Sequence, residues 1–167
     1  MENITASGRV DAFLVSPSGD REPVVHGRNT LLFSCADAVA NIFGGFSGYR
    51  PTVVGFIYGA SDDLGANFSF SVDDRASKTQ EELVGSGLLV HDQYIDNNRH
   101  LEASAPGYAS NAVTFNATKP GTDARSYVYG ALLKDSSGRV LAVKRFDRCV
   151  VQNANYALAL SWTVTFA

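Results

Sequence analysis

Sulfur is scarce in this sequence of 167 residues, which has two cysteines, Cys35 and Cys149, and one methionine. Two cysteines cannot staple a small disulfide scaffold. They admit one long-range bridge, which needs Cα atoms within about 7 Å. The simpler reading is a pair of packed thiols in a protein made in a reducing cytoplasm. Long apolar runs are missing as well. No window approaches the roughly 18 apolar residues of a membrane-spanning helix, and Met1 to Arg9 hold no apolar stretch of signal-peptide length. The expectation is a soluble chain made in the cytoplasm, with no membrane partner. An excess of positive charge is also absent. Fourteen Lys and Arg face seventeen Asp and Glu, a formal charge of −3, so there is no global footprint for nucleic acid. Charged residues make up 19% and hydrophobic ones 45%, which excludes wholesale disorder and supports one buried core.

What the chain does have is fifteen Gly, ten Phe and seven Tyr, a balance that suits sheets and turns. Gly8 to Ser16 alternates, with Val10, Ala12 and Leu14 on one face, as in a half-buried strand. The turn Pro17-Ser18-Gly19-Asp20 and a short return from Pro23 to His26 complete a hairpin. One helix is expected over residues 34–43, with Ser34 as N-cap, Cys35, Val39, Ile42 and Phe43 on its buried face, and Gly44-Gly45 as its stop. Thr52 to Tyr58 is apolar on both faces, as in a central strand. Phe68, Phe70 and Val72 alternate with polar residues, and the polar stretch from Asp73 to Glu82 reads as a loop. Leu88–Ile95, Arg99–Ser104 and Ala112–Ala117 are further strand candidates. A hairpin follows from Ser126 to Phe146, turning at Asp135-Ser136-Ser137-Gly138. Tyr156 to Phe166 closes the chain with Leu158, Leu160, Trp162 and Val164 on one face. The fold expected is all-β, a single jelly-roll-like β-sandwich domain over residues 1–167 with a short N-terminal arm at 1–7.

No catalytic, cofactor or metal constellation assembles from spacing. His91 and His100 have Asp92 and Asp96 between them but no metal-ligand spacing. Asp62-Asp63 and Asp73-Asp74 bracket a strand without the fixed Asp/Asn-Gly pattern of a calcium loop. Gly85-Ser86-Gly87 does not complete a nucleophile elbow. Arg148 beside Cys149 could activate the thiol, yet strand residues surround it and favour packing. Lys134, Arg139, Lys144, Arg145 and Arg148, with Tyr127, Tyr129 and Phe146 nearby, could form a single-strand nucleic-acid platform. Charges guarding a strand edge account for them equally well, and no nucleic-acid partner is expected.

With catalysis set aside, the order of features becomes informative. An opening hairpin runs through His26–Leu32 into the Ala-rich stretch Asp37–Gly45 and then Pro51–Gly59. Later come Tyr129–Leu133, Gly138–Phe146 and the closing Leu160-Ser161-Trp162-Thr163-Val164-Thr165-Phe166. This order resembles small β-sandwich virion proteins of tailed bacteriophages. The resemblance implies a non-enzymatic structural subunit located in the virion, first of all a capsid decoration protein. A tail, fibre or baseplate adaptor is the alternative. The implied partners are major capsid or tail proteins and further copies of the chain in a homo-oligomer. Aromatics and Arg are enriched at interface cores, which makes Phe46, Tyr49, Arg50, Tyr94 and Tyr108 the contact candidates, together with the arm Met1–Ser7. A carbohydrate- or host-receptor-binding module on the same scaffold is the rival reading.

Overall fold

The computed structural model describes residues 5–62, 75, 76, 78–85, 87–100 and 111–167. The expected hairpin forms from β1 (Ala6–Val15) and β2 (Arg21–Leu31), and Val10 and Ala12 are fully buried. Its register slips between Ala12 and Phe13, where Phe13 faces Pro23 and Val24 is left over. A bulge accommodates a residue with no N–H to give the ladder. Of the expected N-terminal arm, Ala6 and Ser7 are strand residues, and Thr5 exchanges backbone hydrogen bonds with Ala167.

Helix α1 (Phe33–Phe43) starts one residue earlier than expected, and Ser34 is not its cap. Leu32 holds that position without a side-chain bond. Ser34 is instead buried and donates its hydroxyl to the Val140 carbonyl. A hydroxyl facing a strand serves that strand's carbonyl in preference to its own helix end. After a 3₁₀ turn at Ser47–Tyr49 come β3 (Pro51–Gly59), α2 (Gln80–Val84), β4 (Leu89–Tyr94) and β5 (Asn97–His100). The chain then continues through β6 (Ala112–Lys119), β7 (Ser126–Asp135), β8 (Val140–Gln152) and β9 (Ala157–Phe166). Helix α2 corrects the expectation of a loop up to Glu82. Glu82 N–H donates to Thr79 Oγ1 at 3.3 Å and Thr79 N–H to Glu82 Oε2 at 2.7 Å, a capping box inside a polar stretch. The proposed strand at Phe68–Val72 lies outside the described residues.

Hydrogen bonding orders the strands β4-β3-β7-β8-β2-β1-β9-β6-β5 in one sheet. Its two ends, β4 and β5, belong to one continuous piece of chain. Ile95 N–H donates to Thr52 O on β3 at 2.9 Å, and Asp96 N–H donates to Asn116 O on β6 at 2.8 Å. Opposite this corner, β2 and β8 pair only at Thr30–Val143 and Leu31–Ala142. The all-β expectation holds, and the arrangement is a near-closed barrel made by one curled sheet. Beyond those two pairs β2 and β8 diverge, and Pro23, Val24, Arg148 and Val150 line the gap. Proline and charge at such a seam discourage strand addition.

The barrel interior holds Trp162, Phe56, Leu158, Leu160 and Val10, all at 2% exposure or less. A second cluster, with Ile57, Leu132, Val143 and Tyr129, lies on the other face of β3, β7 and β8 beneath Leu83 and Val84 of α2. That second layer explains why the β3 sequence is apolar on both faces. Gly121 sits where a Cβ would lie 2.6, 2.7 and 2.8 Å from the carbonyl oxygens of Ala154, Asn153 and Tyr156. Backbone oxygens cannot step aside as a flexible side chain would. Gly121→Ala is therefore expected to lower stability by about 1–3 kcal/mol in urea denaturation. Gly48→Ala, with nothing within 4 Å of its new methyl group, is expected to stay within about 0.5 kcal/mol.

Candidate functional site

The polar side chains fall into separate groups. At one end of the barrel Lys119, the last residue of β6, is only 2% exposed. Its Nζ donates to Gln152 Oε1 at 2.7 Å and lies 3.4 Å from Ser126 Oγ. The Tyr58 ring centroid is 5.4 Å away. Gln152 is held in turn, its amide donating to the carbonyls of Lys119, Pro120 and Tyr156 at 3.0–3.1 Å. Loss of solvent pushes the Lys119 amine below its ordinary value. The group ties β6, β7 and β8 together where the strands end, and a sealed amine with these partners performs a structural task.

On the outer face of β1 and β2, Arg9 Nε donates to Asp11 Oδ2 at 2.9 Å, and His26 Nδ1 meets Asp11 Oδ1. Burial raises the Asp11 carboxyl, but hydrogen bonds from Arg9 and His26 outweigh it and hold it below its usual range. Such an Asp–His pair could orient an imidazole. Among the described residues, however, no group of three His, Cys, Asp or Glu converges as a metal site would require.

The basic cluster read from the sequence is dispersed by the fold. Lys134 Nζ binds both Asp92 oxygens, at 2.6 and 2.7 Å, and Gln80 Oε1 at 2.8 Å. Arg139 pairs with the buried Asp135, which also accepts from the Ser137 and Arg139 N–H groups and so locks the β7–β8 turn. Lys144 donates to the Arg28 carbonyl. Tyr129 and Phe146 are buried and offer no stacking face. His91 belongs to β4, paired with β3, whereas His100 belongs to β5, paired with β6. Asp92, between them, is engaged by Lys134. Asp63, Asp73 and Asp74 lie outside the described residues.

Both cysteines are free thiols, partly buried and unbridged. Burial pushes the Cys35 thiol up, away from the thiolate that nucleophilic chemistry needs. Cys149 ends a bulge in which Phe146 to Cys149 stand opposite the single residue Tyr129, and it packs beside the second cluster.

Four of the five contact candidates fall at one end of the barrel. Phe46, Tyr49 and Arg50 lie on the connection from α1 to β3, and Tyr94 is paired opposite Val53 near the start of β3. Phe46 is 60% exposed and Tyr94 78%. Arg50 is exposed, while Tyr49 is half-buried under the Arg139 guanidinium, 4.9 Å from its ring centroid. Tyr108 lies outside the described residues. Ile42 and Phe43 correct the sequence reading. Assigned there to the buried helix face, they are 45% and 87% exposed. Apolar residues at Phe33, Val39, Ile42 and Phe43 span a wider arc than one contact stripe can cover, a signal present in the sequence. No family model, curated protein or solved structure matches this chain.

The Lys119 group generates a pH test. Its native pKa lies below the 10.5 of an unperturbed lysine, so the unfolded chain binds the extra proton in that window. The destabilisation is complete below the native value and fades as pH rises toward 10.5. The stability of the wild type minus that of Lys119→Met is therefore expected to rise with pH across the alkaline range in chemical denaturation. A difference that is flat with pH would refute this account of the buried amine.

Proposed function

We propose that this chain is a non-enzymatic structural subunit that acts by docking on other proteins. Following the resemblance of its feature order, we assign it to a tailed-phage particle as a capsid decoration protein. The observation that carries the docking reading is the run of exposed apolar side chains at Ile42, Phe43 and Phe46, with exposed Tyr94 opposite Val53 near the start of β3. Exposed apolar side chains grouped in this way mark contact surfaces, because each is otherwise left in water at a cost. In this reading the curled sheet serves as a jelly-roll-like sandwich, a stiff block whose faces and loops add buried area to a capsid lattice. The inward and turn-locking use of Lys119, Lys134 and Asp135 fits a protein whose polar groups maintain shape.

Placement in a tail, fibre or baseplate would use the same surface and differ in copy number. Exposed Tyr94 is also a stacking platform for a sugar ring, the feature that favours a carbohydrate- or receptor-binding module. Retention on a glycan surface that is lost in Tyr94→Ala would support that alternative.

Quantitative mass spectrometry of purified particles tests the assignment. Decoration predicts copies on the order of hundreds per particle, and tail or neck placement predicts a small ring of about three to twelve. Phe46→Ala with Tyr94→Ala is expected to reduce incorporation by roughly tenfold or more. Particles that lack the chain would overturn the virion reading.

A further inference from the structure

Between β2 and β8 the wall of the barrel is open. Leu32 N–H donates to the Leu141 carbonyl at 2.9 Å, and Thr30 pairs with Val143. Backbone groups on an antiparallel strand point to a given side with a period of two, so Arg28 and His26 also direct theirs toward β8. The Arg28 carbonyl is met by a side chain, accepting from Lys144 Nζ at 2.9 Å. Past this point β2 is paired only with β1 and β8 only with β7, and the ladder gives His26 no partner on that side. A groove of about 520 Å³ occupies the gap. One wall is the consecutive run Pro23 to His26, and the other is Asp147 to Val151. A strand face shows only every second residue, so walls made of consecutive residues are strand edges. The groove therefore presents backbone from both sides.

We infer that this seam binds an extended acidic segment of a partner protein, which adds as a strand between β2 and β8 and completes the barrel. An extended peptide is the ligand that suits two facing edges, because its N–H and C=O groups point to both sides. β2 and β8 run antiparallel, so the segment lies antiparallel to one wall and parallel to the other. The walls set the bound length at about four or five residues. Its inward side chains are apolar, because they meet Leu14, Val25 and Val150, which border the interior cluster. Its outward side chains lie beside exposed Arg148, and charge sets their sign. Residues 21–28 and 144–151 hold five Arg and Lys against Glu22 and Asp147, in a chain of formal charge −3. Asp11 on the neighbouring β1 is matched by Arg9 and His26. Pro23 and the seam charges discourage indiscriminate strand addition, and the same charges select a strand of opposite sign. Seam-to-seam pairing of two copies would set like charges opposite one another, so the occupant is a different segment. The seam uses other residues than the Phe46 and Tyr94 surface and goes beyond the docking reading. Its test needs no particles, so either proposal can fail while the other stands.

The test uses the full chain and a labelled, capped peptide of about eight residues alternating Val with Glu, long enough to overhang the groove. Fluorescence anisotropy reads the affinity, and amide hydrogen exchange locates the bound peptide. The peptide is expected to bind and to slow exchange at His26 and within residues 147–151. Replacing every Glu by Lys is expected to weaken binding roughly tenfold or more. N-methylation of either alternate set of peptide nitrogens is expected to weaken it at least as much, because it removes N–H groups that a strand donates. Arg148→Glu, at an exposed position, is expected to reverse the preference, so that the Lys peptide binds more tightly than the Glu peptide. Binding of the Lys peptide then shows that the variant has folded. No binding of the Glu peptide at protein concentrations up to about 1 mM would overturn the inference. Equal binding of the Glu and Lys peptides, indifference to N-methylation, or slowed exchange away from the seam would each do the same.

Discussion

Two successive backbone N–H groups set the shape of this molecule. Ile95 donates to β3 and Asp96 donates to β6, so within one peptide step the chain leaves one end of the sheet and joins the other. Among the described residues the sheet has nine strands, and left open it would expose two rows of unpaired N–H and C=O groups. Here both rows belong to the segment 89–100, and the turn at Ile95–Asp96 brings them together. The residues that face inward along β1, β3, β6 and β9 gain a common interior only because that corner curls the sheet. Trp162, Phe56 and Val10 meet inside as a result.

Closure leaves two ends to be finished, and the chain treats them differently. At one end Lys119 and Gln152 satisfy one another and the nearby carbonyls, a polar seal where β6 and β8 stop and β7 begins. At the other end α1 lies across the strand ends, tethered by the hydroxyl of Ser34 and the N–H of Leu32 to β8. A cavity lined by Cys35, Val39, Phe115 and Leu141 lies between the helix and the strand ends, and Phe43 at the end of the helix is exposed. A sealed polar end and an unfinished apolar end make the second the natural place for contact with another protein.

Much of the architecture was legible. The alternation in Gly8–Ser16, the two-sided apolar run at Thr52–Tyr58 and the Leu158-Leu160-Trp162-Val164 face all sit where period-two patterning puts them. Helix α2 was hidden because its capping residues are polar and only Leu83 and Val84 turn inward. Ser34 was misread because a hydroxyl at a helix start has two possible partners, and the choice depended on β8, more than a hundred positions away. The contact surface was half legible. Phe46, Arg50 and Tyr94 could be named as contact aromatics and a cation, whereas Ile42 and Phe43 read as part of the apolar face by which the helix packs.

By itself, then, the sequence determined the strands, their inner faces and most of their turns, because alternation and glycine or proline punctuation act over a few residues. Only the tertiary structure decided that the sheet curls into a near-closed barrel, that Lys134, Arg139 and Lys144 of the basic cluster go to separate partners, and that Phe43 at the end of α1 stays exposed. Each of those depends on which distant strand comes to lie opposite, and on how much volume is left when it does. Local patterning carries no record of either quantity.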